Sequence, residues 1–150
     1  MKRRILPIAA AALSLAAALP TTAGAAKDKP VTPAAEIISH VKTLAGGEAA
    51  TVKARYVCPE GFHLWVSAKQ AEGGKQDPRL EEEGSSRYSA AWLQNHPTAF
   101  TCDGKWHTGT YQVDKSEYGF GRLQRGVAWV QFCLVGESTF LSRSEWVKVN

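Results

Sequence analysis

The chain carries four histidines, His40, His63, His96 and His107, and three cysteines, Cys58, Cys102 and Cys133. No two histidines stand at a metal-binding spacing such as His-x-His or His-Glu-x-x-His, and no Cys-x-x-Cys occurs. Neither a metal site nor a cofactor is therefore expected. Gly84-Ser85-Ser86 lacks the closing glycine of a Gly-x-Ser-x-Gly nucleophile elbow. Glu81, Glu82 and Glu83 are consecutive carboxylates, which splay apart rather than converge on Ca²⁺, and read as a solvated face. Gly119, Gly121 and Gly126 match a phosphate-binding loop in composition only, because no Lys-Ser/Thr follows. Cys133 as a nucleophile would need a histidine beside it and a compartment that keeps it reduced. No catalytic residue is assigned, and an enzyme is not expected. What remains is chemistry of recognition. Trp65, Trp129 and Trp146 offer broad flat apolar rings, and Lys69 and Gln131 lie close to them in sequence as polar neighbours.

The first residues bear on where this chemistry would operate. Lys2, Arg3 and Arg4 precede an uncharged apolar run, residues 5–19, and then Pro20 and the small residues 21–26. This pattern reads as a secretory signal peptide over residues 1–25, too short in its apolar part for the ~20 residues of a spanning helix. No membrane span is expected, and the location is read as secreted and extracellular. Removing residues 1–25 takes away three basic and no acidic residues, so the net charge falls from +4 to +1. The basicity belongs to the leader, and a nucleic-acid partner loses its support. Residues 26–35, proline-punctuated and polar, read as a flexible leader to one domain over residues 36–150.

All five Trp, four Tyr and five Phe follow residue 55, a density of aromatic residues that favours strands. Residues 34–45 are ambiguous. Ile37, Ile38, Val41 and Leu44 fit one face of a helix, with Gly46-Gly47 as a stop, and an extended strand is the alternative. Residues 51–58 alternate, with Val52, Ala54, Tyr56 and Cys58 on one face and Lys53 and Arg55 on the other. Residues 62–70 alternate too, placing Leu64, Val66 and Ala68 opposite Trp65, Ser67 and Lys69. Residues 73–86 have no period and read as a long exposed loop. Residues 87–94 suit either a strand or a helical turn. Asp103-Gly104 between 98–102 and 105–113 predicts a two-residue hairpin, since both positions tolerate positive φ. Residues 127–135 and 140–149 complete about seven short strands, the pattern of an all-β, antiparallel β-sandwich.

The elements Tyr56-Val57-Cys58, Leu64-Trp65-Val66-Ser67 with Gln70, Thr101-Cys102-Asp103-Gly104 with His107, and Gly126-Val127-Ala128-Trp129-Val130 stand in an order that resembles small secreted actinobacterial proteins. Those have immunoglobulin-like sandwiches and belong to families of unknown function. The resemblance spans roughly residues 36–149, implies an immunoglobulin-like fold, and favours the strand reading of residues 36–45; three cysteines in an exported chain imply one disulfide. In immunoglobulin order the second and fifth strands are neighbours, which favours Cys58–Cys102 over Cys58–Cys133 or Cys102–Cys133 and leaves Cys133 unpaired. The same order puts the third, sixth and seventh strands in one sheet, so Trp65, Trp129 and Trp146 would share its outer face. Three indoles of ~150–250 Å² each reach or exceed the roughly 300–600 Å² of the largest patch a monomer ordinarily shows. Either the segment 73–86 or the N-terminal segment covers them, or they bind something. The function expected is a secreted, non-catalytic binding module. A cell-wall polymer, a secreted protein or a second copy in a homodimer would be its partner. A protease inhibitor presenting residues 73–86, or a small hydrolase with a dispersed site at His63 or His107, is the alternative.

Overall fold

Alternating apolar residues must find a second apolar face to bury against, and here two antiparallel sheets supply it for each other. The structure, a computed structural model, describes residues 30–150; the expected signal peptide lies outside the described residues. The first sheet contains β1 (Ala34–Ile37), β2 (Lys42–Leu44), β3 (Ala49–Val57) and β6 (His107–Val113). The second runs in the order β5 (Ala91–Asn95), β4 (His63–Gln70), β7 (Gly126–Val135), β8 (Phe140–Val149).

Residues 34–37 and 42–44 are strands, so the helix suggested by the periodicity of residues 34–45 does not form. β1 and β2 pair in turn with the same edge of β3, residues 34–37 against 54–57 and 42–44 against 49–51. Between them the chain crosses to the other sheet. Val41, fully buried, donates its N–H to Lys148 O at 2.8 Å and accepts from Asn150 N–H at 3.1 Å. An open strand edge and two sheet contacts outweigh the weak helical preference of a twelve-residue stretch. β1 also starts inside the expected leader, which among the described residues is confined to 30–33.

The facing surfaces are those the alternation marks. Ala50, Val52, Ala54 and Tyr56 of β3, with Tyr111 and Val113 of β6, meet Leu64, Val66 and Ala68 of β4 and Ala128, Val130, Phe132 and Leu134 of β7. Tyr56, Tyr111 and Phe132 cluster with ring centroids 5.7–6.2 Å apart, in tilted geometries that suit the aromatic quadrupole.

The predicted hairpin at Asp103-Gly104 does not form either. Residues 98–102 make no strand, and β6 begins only at His107, pairing with β3 from Tyr56↔His107 to Ala50↔Val113. The turn chemistry is nevertheless present. Gly104 takes φ +77° and donates its N–H to Cys58 O at 2.9 Å, while Asp103 Oδ1 accepts from Lys105 N–H at 3.0 Å. Its task is to carry the chain from Cys102 into β6 beside β3. Cys58 and Cys102 form a disulfide with Cα atoms 4.9 Å apart, and Cys133 is free and buried. A disulfide indicates an extracellular or otherwise oxidising environment.

Closing a loop of 44 residues in sequence separation stabilises the fold by about 4 kcal/mol in the chain-entropy picture. The Cys58→Ser/Cys102→Ser double variant is expected to lose about that much in urea unfolding. A loss below about 1 kcal/mol contradicts the assignment of this bond as a main stabilising link.

Candidate functional site

Pairing that buries one face of β4 and β7 turns the other outward, and the register arranges it in transverse rows. Trp92, Lys69, Trp129 and Trp146 lie opposite one another from β5 to β8. The next row is Gln94, Ser67, Gln131 and Ser144, and the third is Trp65, Cys133 and Ser142. The five residues singled out by strand parity, Trp65, Lys69, Trp129, Gln131 and Trp146, therefore do share one sheet face. Trp92 and Gln94 join them from β5, an element whose identity was open in the sequence; its alternation alone would have placed them here.

Residues 73–86 are not the exposed loop their composition suggests. The stretch after β4 winds through three short 3₁₀ turns, Glu72–Gly74, Pro78–Glu81 and Ser85–Tyr88, and folds back over the first row. Leu80 and Ser85 are fully buried. Ser85 Oγ accepts from Lys69 Nζ at 2.9 Å and donates to Leu80 O at 3.0 Å. Trp146 Nε1–H donates to Glu81 Oε1 at 2.8 Å. Short 3₁₀ turns have no repeating apolar period, so nothing in the spacing announces them. Their return path needs a close approach: a Cβ on Gly126 would lie 2.2 Å from Gly74 O, so only glycine lets β7 start there.

This cover takes up the Trp129–Trp146 end of the face. The two rings lie 5.4 Å apart, both half-buried. It leaves a groove of about 700 Å³ between the Glu81–Ser86 side and Phe140, which is 64% exposed. Trp65, Gln131, Gln94 and Lys69 line it, with Trp92 and His96. Trp65 is half-buried and held in place, its Nε1–H donating to Gln94 Oε1 at 3.2 Å. Gln94 in turn donates to Glu117 O. Gln131 Oε1 accepts from Ser67 Oγ at 3.4 Å, which leaves the Gln131 amide hydrogens to donate elsewhere. Phe140 was recognisable beforehand as sharing parity with Ser142, Ser144 and Trp146; Ser85 carried no such signal.

Lys69 is 7% exposed, lies 5.8 Å from the Trp92 ring centroid and makes no ion pair among the described residues. Its desolvation holds the ammonium below lysine's ordinary range. Burial likewise pushes the Cys133 thiol up, and its Sγ–H donates to Ser142 Oγ at 3.4 Å, the setting of an inert thiol. Two histidine–carboxylate pairs occur among the described residues, His96 with Glu117 and His107 Nε2 with Asp103 Oδ1 at 2.7 Å. Neither has a hydroxyl or thiol hydrogen-bonded to it among the described residues. His107 stands beside the disulfide turn, and His63 lines a second cavity with Phe62 and Phe100. No helix among the described residues is long and apolar enough to cross a membrane.

No family model, curated protein or solved structure matches this chain.

The buried lysine makes a pH prediction. Its proton is held less tightly in the folded chain than in the unfolded one, whose lysine keeps the ordinary value of 10.5. Between the lowered folded value and that one, the unfolded chain binds more protons, so this residue makes stability rise with pH across the window. A Lys69→Met variant lacks the effect. The stability of wild type minus variant in urea is expected to grow as the pH rises toward lysine's ordinary value of 10.5; a flat difference contradicts a desolvated ammonium at this site.

Proposed function

We propose that this chain is a secreted, non-catalytic binding module that holds a cell-wall glycan in the groove over its second sheet. The observation that carries the reading is Trp65 beside Gln131 at the floor of that groove, a half-exposed indole next to a carboxamide with free donors. An indole face stacks on the C–H face of a sugar ring, while amide and hydroxyl groups meet its rim of hydroxyls. Both side chains are already held by hydrogen bonds to Gln94 and Ser67, so little conformational freedom is lost on binding.

Recognition through side chains also agrees with the state of the neighbouring strand edge. Backbone groups of β5 that face away from β4 are engaged: Trp92 exchanges N–H and C=O with Phe120 at 2.9 Å each way. Gln94 does the same with Asp114, at 3.0 and 3.2 Å. A peptide adding as an extra strand would have to displace them. The sandwich is, on this reading, immunoglobulin-like. Supporting this are the pairing of β3 with β6, the succession β4-β7-β8, and the parallel bridge from Val41 to Val149.

Wild-type protein is expected to be retained on isolated cell wall and to be released by soluble wall glycan. Trp65→Ser and Gln131→Ala should each weaken retention, the tryptophan change by about 2 kcal/mol or roughly thirty-fold, with an unaltered circular dichroism spectrum. Retention unchanged in both variants removes the groove as the site. Comparing Trp65→Ser with the Trp65→Ser/Trp129→Ser double variant separates the two tryptophans' roles: a melting point some 10 °C lower in the double than in the single variant marks Trp129 as structural cover rather than contact surface.

A further inference from the structure

The groove has a neighbouring cavity. His96 lines the groove and also lines this second cavity, of about 460 Å³, which is otherwise formed by Phe62, His63, Leu64, Pro97, Thr98 and Phe100. One imidazole thus borders both spaces, and its Nδ1 is paired with Glu117. Together they exceed the roughly 300–1,000 Å³ typical of a small-molecule site. Their linings differ. The first offers two indoles, two carboxamides and two serine side chains; the second is mainly apolar, with two phenylalanines, a leucine and a proline.

Charge narrows the ligand further. Glu81, Glu82 and Glu83 stand on one wall of the first cavity, all exposed. Its cation, Lys69, lies at the floor and is already engaged with Ser85. A polyanion entering this groove meets three carboxylates before it reaches one desolvated ammonium, so uronate- or phosphate-bearing polymers are disfavoured.

We propose that the ligand is an extended glycan of uncharged, N-acetylated sugars that runs from the Trp65/Gln131 groove over His96, with an acetamido methyl seated among Phe62, Pro97 and Phe100. This rests on the groove's assignment as a glycan site and specifies its ligand. An acetamido group supplies a methyl for the apolar cavity and stays neutral beside the glutamates, which neither a plain hydroxyl nor a carboxylate does.

The test is calorimetric titration of the secreted protein with N-acetylglucosamine oligomers of two and six units, and with six-unit galacturonate. The six-unit N-acetylated oligomer is expected to bind at least tenfold more tightly than the two-unit one, and at least tenfold more tightly than the galacturonate. Thr98→Trp, at an exposed position where added bulk plugs the second cavity without disturbing the core, should erase the gain with length. Glu82→Gln/Glu83→Gln should narrow the gap to galacturonate severalfold at low salt. Equal binding of the two lengths, galacturonate binding as tightly as the neutral chain, or a length gain that survives Thr98→Trp overturns the proposal. Absence of binding by every N-acetylated oligomer overturns it as well. If wall material is still retained through Trp65, the broader reading of the groove stands; if retention is also lost, or a basic peptide binds in place of the sugars, both fall.

Discussion

Ser67 lies opposite Gln131, and the rest of the molecule's surface chemistry follows from that alignment of β4 with β7. Strands alternate strictly, so a register that sends Leu64, Val66 and Ala68 into the core with Val130 and Phe132 must send Trp65, Ser67 and Lys69 outward with Trp129 and Gln131. A slip of one residue would exchange the two sets and put an indole and an ammonium into the core. The cost of burying that charge without a partner is what makes the arrangement unique. The same register aligns β5 and β8 on either side, which is why eleven side chains from four strands form ordered rows.

The outer face is then shaped by the chain returning over it. Leu80 gives the segment after β4 an apolar anchor, and Ser85 meets the Lys69 ammonium that would otherwise be buried with no acceptor. Glu81 ties the far end through the Trp146 indole. The segment thereby stabilises one end of an aromatic face and, by standing above the sheet, builds a wall for the other end. Covering and exposure of the tryptophans are therefore not alternatives in this molecule: Trp129 and Trp146 lie together at the end tied to Glu81, and Trp65 faces the groove.

How far this was legible in the sequence varied with the range of the interactions involved. Alternation in residues 51–58, 62–70 and 127–135 reports local geometry directly, and it located the core and the outward set correctly. The Cys58–Cys102 bond followed once the second and fifth strands were taken as neighbours. What went astray depended on long-range competition. Residues 34–45 have a helical period, but the unpaired edge of β3 and the end of β8 draw them into extended structure. Asp103-Gly104 has hairpin chemistry, yet the disulfide at Cys102 and the second edge of β3 claim the flanking segments. Residues 73–86 look solvated because Glu and Gly dominate them, and two small anchors, Leu80 and Ser85, are enough to pin the segment down. Trp92, Gln94 and Phe140 were within reach of parity reasoning; His96, past the end of β5, was not.

On the proposed reading, Trp65 is the ring a ligand touches. Its indole N–H resonance can be followed directly in ¹⁵N-labelled protein while wall glycan is added, alongside the other four of the five tryptophans. Trp106 is the natural internal control, being 46% exposed and stacked under Arg55 beside the first sheet, away from the groove. The Trp65 signal should shift with saturable dependence on glycan while that of Trp106 stays in place. A stationary Trp65 signal in the presence of bound glycan, or a shift at Trp106 instead, contradicts the groove as the binding surface.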